Sequence, residues 1–156
     1  MSRFENHAIE RFRTRPRDAD APEAALARAA LLPQNDRILV ELALRGRCTR
    51  RQIGEMLNLP PGTVTRRLQR LSSRLYDPLV IALLDRHCLL DPNHRQIGVE
   101  HFLLGLRVTQ LSRQHAMPAG EVRSIITYLR GWHRGLAAGQ LRTQRNERSD
   151  PAWSQR

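Results

Sequence analysis

The sequence predicts an all-α protein in which two trihelical units follow one another and are joined by a helix. Apolar residues recur at spacings of three and four along the chain, which is the period of an amphipathic helix. No segment rich in β-branched and aromatic residues alternates with polar ones, and aromatic residues make up 4% of the sequence, so strands are not expected. The third observation is an internal repeat at an offset of 58, which indicates two similar units in tandem.

Charge and composition restrict the functional classes. The formal net charge is +11, which favours a polyanionic partner such as nucleic acid or an acidic membrane surface. No apolar run approaches the roughly 18 to 20 residues of a membrane-spanning helix, so a membrane protein is not expected. All 26 basic residues are arginine. Either guanidinium binding to phosphates and guanine edges or the codon usage of a GC-rich genome explains that choice.

The two ends of the chain differ from its middle. Residues 1–31 are predicted to form an N-terminal arm with a short alanine-rich helix over Pro22–Leu31. The segment from Met1 to Arg17 lacks the continuous apolar stretch of a secretory signal, so export is not expected. Residues 139–156 are polar and carry several arginines, and a disordered basic tail is expected there.

Residues 32–77 form the first predicted unit. Helix-starting and helix-stopping residues divide it into three helices: Pro33–Arg45, Thr49–Leu57 and Pro61–Leu75. Gly46 is predicted as the C-cap of the first helix, and Thr49 with Gln52 is predicted to form a capping box on the second. Pro61 suits the first turn of the third helix.

One apolar face of each helix is predicted to contribute to a common core: Ile38, Leu42, Ile53, Leu57, Leu59, Val64, Leu68 and Leu71. Gly54 is expected to let the second and third helices approach closely. Three helices with this short turn form a helix-turn-helix, whose last helix enters the DNA major groove. Because no strand pattern follows that helix, the unit is predicted to lack a β-wing.

The outward face of the Pro61–Leu75 helix is predicted to be polar and basic: Thr63, Thr65, Arg66, Arg67, Gln69 and Arg70. No acidic residue occurs from Gly62 through Tyr76. Ordinary solvated helix faces mix both signs of charge, so a wholly basic face favours contact with DNA over a merely solvated surface.

The first unit resembles the region-four domain of bacterial RNA polymerase sigma factors, the module that reads the −35 promoter element. The resemblance rests on the run TRRQIGEML followed by PPGTVTRRLQRL. It implies base and phosphate contacts from Thr63, Thr65, Arg66, Arg67 and Arg70, and phosphate contacts from Arg50 and Arg51. A working sigma factor also has a region-two domain, which the segment before Leu32 is too short to form.

Residues 91–138 are predicted to form a second, diverged helix-turn-helix. The pairs at an offset of 58 include Leu59 and Met117, Pro60 and Pro118, Gly62 and Gly120, Val64 and Val122, and Leu68 and Ile126. Gly46 and Gly105 pair at 59, which implies compensating shifts of one residue. Residues 78–90 are predicted to form a connecting helix, which Asp77 caps and whose apolar side chains pack the two units together.

The second unit is not predicted to read DNA as the first does. Where the first has Thr65, Arg66, Arg67 and Arg70, the second has Arg123, Ser124, Ile125 and Tyr128. Glu121 replaces Thr63, and an acid at that position repels phosphates. Arg123 and Arg130 can still contact the DNA backbone. A role in packing, dimer formation or polymerase contact is equally open.

No catalytic or metal site is expected. Cys48 and Cys88 form no CxxC pair, which argues against a zinc ribbon and a disulfide scaffold. His87, His94 and His101 lack the i, i+4 spacing of helical metal sites. Because the chain has no Ser/His/Asp pattern and no Gly-rich phosphate loop, neither an enzyme nor a cofactor is predicted.

Two functions from different classes fit these observations. The first is a sequence-specific DNA-binding transcription regulator that places the Pro61–Leu75 helix in the major groove of double-stranded DNA. The second is an interaction module that docks on RNA polymerase or another protein without reading DNA. Both predict a cytoplasmic protein, and the first predicts one associated with the nucleoid. The sequence leaves the oligomeric state open, a homo-oligomer included.

Overall fold

The computed structural model describes residues 22–46 and 48–148, which contain eight α-helices and one π-helical segment. In chain order these are α1 (Pro22–Ala29), α2 (Gln34–Leu44), α3 (Arg50–Leu57), α4 (Pro61–Leu75), α5 (Pro78–Leu84), α6 (Pro92–Val99), the π-helical segment (Glu100–Leu104), α7 (Val108–Gln114) and α8 (Ala119–Arg148). No strand occurs in these two ranges, which confirms the all-α prediction. The predicted arm before Pro22 lies outside the described residues.

Local capping explains where the helices of the first unit begin and end. The Thr49 side chain accepts a hydrogen bond from the Gln52 backbone N–H at 3.3 Å, and the Gln52 side chain accepts one from the Thr49 N–H at 2.8 Å. The predicted capping box is therefore confirmed. Asn58 ends α3 in the left-handed conformation, with φ 52°. α4 begins at Pro61, as predicted.

Gly46 does not cap α2, which corrects the prediction. The C-cap is Arg45, in the right-handed region, and Gly105 is the glycine with positive φ among the described residues. The backbone around Gly46 is instead too crowded for a larger side chain, because a Cβ there would lie 2.9 Å from the Leu42 carbonyl oxygen.

The core of the first unit differs from its prediction in α2. Leu39, Val40 and Ala43 are its fully buried residues, whereas Ile38 and Leu42 are half-buried. The physical reason is that α1 packs against α2. The buried face of α2 therefore includes Leu39 and Ala43, which directly follow Ile38 and Leu42 in the sequence. The buried cluster comprises Ala25, Ala29, Leu32, Leu39, Val40, Ala43, Ile53, Val64, Leu68, Leu71, Leu75, Tyr76, Val80 and Leu103.

A second cluster lies among α5, α6, α7 and α8: Leu79, Leu83, Ile97, Leu111, Val122, Ile125, Ile126 and Leu129. The connecting helix α5 joins the two clusters, because Val80 belongs to the first and its neighbour Leu79 to the second. Asp77 caps α5 by accepting from the Leu79 N–H at 2.9 Å, as predicted. Phe102, half-buried, packs against both clusters.

Backbone details recur in the two units at the predicted offset of 58. The Arg107 N–H donates to the Gln110 side chain at 2.8 Å, as the Thr49 N–H does to Gln52. Ala116 has φ 48° where Asn58 has φ 52°. These two are the non-glycine residues with positive φ in the described ranges, and such a conformation is uncommon outside glycine.

The local offset of 59 is already present at Glu100, where the π-helical segment begins, because Glu100 corresponds to Glu41. A π turn closes from residue i to i+5, and both units have a contact of that span at the end of this helix. The Gly105 N–H donates to the Glu100 carbonyl, and the Gly46 N–H lies 3.4 Å from the Glu41 carbonyl. The loop that follows is one residue shorter in the second unit, which restores the offset to 58 at Arg107.

α8 extends further than predicted. The expected disordered tail was to begin at Gly139, but the helix continues to Arg148, so the prediction is wrong for residues 139–148. No proline occurs between Pro118 and Pro151, and a single glycine costs a helix only about 1 kcal/mol. Residues 149–156 lie outside the described residues.

Candidate nucleic-acid interface

The inner face of α4 fixes which of its side chains face outward. Val64, Leu68 and Leu75 are fully buried and Leu71 nearly so, at the helical spacing that defines one face. The preceding turn packs tightly on α3, because a Cβ on Gly54 would lie 2.6 Å from the Leu59 carbonyl oxygen. That close approach confirms the role predicted for Gly54.

Two arginines of α4 are exposed to solvent, and two threonines lie near them in the sequence. Arg66 and Arg70 are exposed, while Thr63 and Thr65 are half-buried. The Thr65 hydroxyl donates to the Pro61 carbonyl at 3.0 Å, so its oxygen can still accept a hydrogen bond from a ligand. Thr63, Arg66 and Arg70 share one side of α4 at helical spacing, whereas Thr65 lies on the opposite flank.

Arg67 is engaged within the protein. Its Nη2 donates to Asp36 Oδ1 at 2.5 Å, and the two side chains are 33% and 27% exposed. Asp36 lies in the first turn of α2, so this ion pair joins α4 to α2. Arg67 therefore lies on the flank of α4 that faces α2, whereas Arg66 and Arg70 are exposed.

Positive charge accumulates toward the end of α4. Burial, and then the neighbouring charge of Arg70, lower the pKa of Arg74, while Asp36 acts in the opposite direction. The Arg74 Nη1 donates to the Leu104 carbonyl at 3.3 Å, and its guanidinium occupies the space that a Cβ on Gly105 would need. Arg74 thus links the first unit to the π-helical segment, and Arg70 adds an exposed charge beside it.

The predicted phosphate contacts on α3 differ from one another. Arg51 is exposed and its Nε pairs with Glu55 at 3.0 Å, four residues on. Arg50 is half-buried, and its Nε and Nη2 are buried without a hydrogen-bond partner. A buried guanidinium with unmet donors is costly, so Arg50 has hydrogen-bonding capacity that the described residues do not use.

The corresponding helix of the second unit presents a different surface. Glu121, Arg123, Ser124 and Tyr128 are exposed, but Ile125 is buried in the second cluster. Ile125, which aligns with Arg67, is therefore a core residue of the second cluster. Both positions lie on the flank of their helix, where Arg67 can reach Asp36 while Ile125 reaches the core.

Arg130 is exposed, and its guanidinium lies over the Phe102 ring at 5.6 Å from the centroid. This cation–π contact engages the side chain without neutralising its charge. Arg123 has no such ring contact among the described side chains. Arg123 and Arg130, the two residues predicted to contact the DNA backbone, are therefore both exposed, and Arg130 also packs on the π-helical segment.

A buried polar network lies in the second unit, and no sequence pattern had predicted it. Glu100 Oε1 accepts from Gln96 Nε2 at 3.0 Å and from Gln114 Nε2 at 2.9 Å, and its Oε2 lies 2.6 Å from His115 Nε2. His115 occupies the position of Leu57. The single acid in the apolar run IGVEHFLL was the available signal, because an acid there needs buried partners.

Histidines and cysteines form no metal site in the ranges that the structure describes. His94 packs edge-on against Tyr128, and His101 Nδ1 lies 2.9 Å from the Leu106 carbonyl oxygen. Cys48 and Cys88 are free thiols. Within the same ranges, none of the helices combines the length and the apolar character that crossing a membrane requires.

A family model of winged helix-turn-helix DNA-binding domains matches residues 33–74, which span α2, α3 and α4. Residues 33–74 therefore form a helix-turn-helix domain similar to that family. The described chain has no strand after α4, where Asp77 starts α5 instead of a wing. Comparison with curated proteins and with solved structures finds no match for the chain.

Proposed function

We propose that the protein is a sequence-specific DNA-binding transcription regulator in which α4 lies in the major groove. The observation that carries this proposal is the family match over α2–α4, because the exposed basic face of α4 is the face that such domains present to DNA. The net charge of +11 supports attraction to phosphates.

The contacts of α4 suggest a division of roles among its arginines. Arg66 and Arg70 are exposed, so in this proposal they reach base edges and phosphates. Arg67 is paired with Asp36 and acts mainly by holding α4 against α2. Thr63 provides a hydroxyl group beside Arg66 and Arg70, and Thr65 provides one on the opposite flank of α4; such groups contact bases or phosphates.

The same proposal assigns contacts with DNA phosphates to α3. Arg51 is exposed and, among the described residues, pairs with Glu55 on its own helix, so its guanidinium can reach a phosphate. The unmet donors of Arg50 are buried, so contact with a phosphate requires its side chain to move outward. The resemblance to sigma region four supports this arrangement, in which α3 lies across the DNA backbone and α4 reads promoter-type DNA. Docking on RNA polymerase without DNA reading is the competing function.

We further propose that residues 91–138 are a diverged copy of the first unit. The paired hydrogen bonds of Thr49 and Arg107 and the paired left-handed residues Asn58 and Ala116 support this interpretation. In this arrangement the second unit supports the first through shared packing, with Arg123 and Arg130 adding backbone contacts. A regulator of this kind acts on chromosomal DNA in the cytoplasm, in association with the nucleoid.

The salt dependence of duplex DNA binding tests this proposal. If about five phosphates are neutralised, log K falls with log salt at a slope of about −4 to −5, since each contact contributes roughly 0.9. Replacing both Arg66 and Arg70 with alanine should make the slope shallower by about 1.8 if both contact phosphates. Arg86→Ala is the matched control, because it removes an exposed arginine outside α4. Weak binding with a flat salt response contradicts the proposal and favours protein docking.

A further inference from the structure

A cavity of about 590 Å³ lies where the connecting helix meets the second unit. Its lining residues come from α5, the loop that follows it, α6 and the π-helical segment, with Leu31 after α1 at one side. Sites for small molecules in proteins measure about 300 to 1,000 Å³ and are mostly apolar with a few fixed polar groups. Both criteria apply to this cavity.

The apolar part of the cavity is formed by leucine and valine side chains, including Leu84, Leu90, Val99 and Leu104. One of the lining leucines, Leu31, is 51% exposed to solvent. Exposed apolar side chains grouped around a concave surface indicate a binding site.

The polar groups of the cavity differ in their remaining hydrogen-bonding capacity. Arg95 Nε donates to the Leu83 carbonyl at 2.6 Å and Nη2 to the Asp85 carbonyl at 3.2 Å. These bonds fix the guanidinium and leave Nη1 for a ligand, since arginine has five N–H donors. Both carboxylate oxygens of Glu100, by contrast, already have partners within the protein.

We propose that this cavity binds a small apolar carboxylic acid. The hydrocarbon part lies against the leucine and valine side chains, and the carboxylate accepts hydrogen bonds from Arg95. A carboxylate suits the site because the fixed guanidinium is the cationic group of the lining and its Nη1 has no partner among the described residues, and charge-assisted bonds to guanidinium are strong. The cavity and its polar groups are separate from α4, so this proposal does not depend on DNA binding.

Cys88 lines the cavity and provides a direct test in the full chain. Iodoacetamide alkylates free thiols, and mass spectrometry of the two cysteine-containing peptides reads Cys88 and Cys48 separately. Decanoate, the probe ligand, should slow alkylation of Cys88 to a saturable limit. Cys48 does not line the cavity, so its alkylation rate should not change. 1-Decanol is the matched probe without a carboxylate and should bind about tenfold more weakly, because one charge-assisted hydrogen bond contributes at least that factor.

Four outcomes overturn the proposal. They are the absence of saturable protection by decanoate, equal slowing at Cys48, equal affinity for decanol, and a Cys88 thiol that is unreactive before any ligand is added. The last outcome means that the Cys88 thiol is already covered before any ligand binds. Val99→Trp fills the cavity and should abolish protection in a variant whose circular dichroism matches the wild type. If that variant does not fold, the comparison of decanoate with 1-decanol on the wild-type chain still tests the proposal.

Discussion

The first unit presents Arg66 and Arg70 on the outer face of its last helix, whereas the second presents Ser124 and Tyr128 at the matching positions. The backbone around these residues is nearly the same. Both units have a glutamine that caps the middle helix, a left-handed residue after that helix and a proline before the last one. In the proposed tandem arrangement, caps and turn residues set the shared backbone geometry, while the outward positions differ in their chemistry.

The interiors of the two units also differ at one matched position. Glu41 in α2 lies on the surface and pairs with Arg37 at 3.0 Å. Glu100, its counterpart at an offset of 59, is buried and has three side-chain partners. An acid that forms a surface ion pair in one unit therefore corresponds to a buried one in the other.

The largest effect that we expect comes from Glu100→Ala. It leaves Gln96, Gln114 and His115 without their buried acceptor, which should lower the free energy of unfolding by about 3 kcal/mol. The matched change Glu41→Ala removes only a surface ion pair and should cost about 0.5 kcal/mol. Denaturant unfolding followed by circular dichroism measures both. Equal losses would show that the network around Glu100 does not stabilise the second unit.

A smaller effect is expected at the turn between the last two helices of each unit. Gly54→Ser introduces a Cβ 2.6 Å from the Leu59 carbonyl oxygen, and the required shift should cost about 2 kcal/mol. Ser112 occupies the matching position, and its hydroxyl donates to the Met117 carbonyl at 2.6 Å. Ser112→Gly should therefore cost only about 1 kcal/mol. Thermal unfolding of both variants checks the order, and a harmless Gly54→Ser would contradict the close packing of the first turn.

Arg67 and Asp36 test the division of roles on α4. If Arg67 mainly holds α4 against α2, Arg67→Ala and Asp36→Ala should each lower the unfolding free energy by about 1 kcal/mol. The double variant should lose little more than either single one, because both changes break the same contact. A double-mutant cycle by denaturant unfolding measures this coupling. Additive losses would mean that the two side chains act independently.

Local signals in the sequence predicted much of the first unit. Pro61 and the Thr49 capping box define helix ends within a few residues of themselves, and both predictions are confirmed. The buried face of α2 was predicted wrongly, because it depends on packing against α1, which comes from another part of the chain. Polar composition did not predict the helix through residues 139–148, because composition alone does not distinguish an exposed helix from a disordered segment.

The predicted interface depends on tertiary contacts that spacing does not reveal. On a helical wheel, Arg66, Arg67 and Arg70 lie close together on one side of α4. Only Asp36, on another helix, distinguishes Arg67 from the other two. The same limitation applies to Glu100, whose partners Gln114 and His115 lie at the C-terminal end of the next helix, α7. Sequence patterns therefore located the surface of α4 but not the pairing within it.

Selection of binding sites from random duplex DNA tests the central claim most directly. The wild-type chain should enrich a defined motif, and Arg66→Ala or Arg70→Ala should relax preference at individual base pairs, at a cost of about 1 to 3 kcal/mol for an arginine that contacts a guanine edge. The matched variant, with alanine at both Arg123 and Arg130, should bind more weakly but enrich the same motif. Circular dichroism confirms that each variant is folded. If Arg66→Ala and Arg70→Ala both keep the motif and the full affinity, or if the second-unit variant alone changes the motif, α4 is not the reading helix.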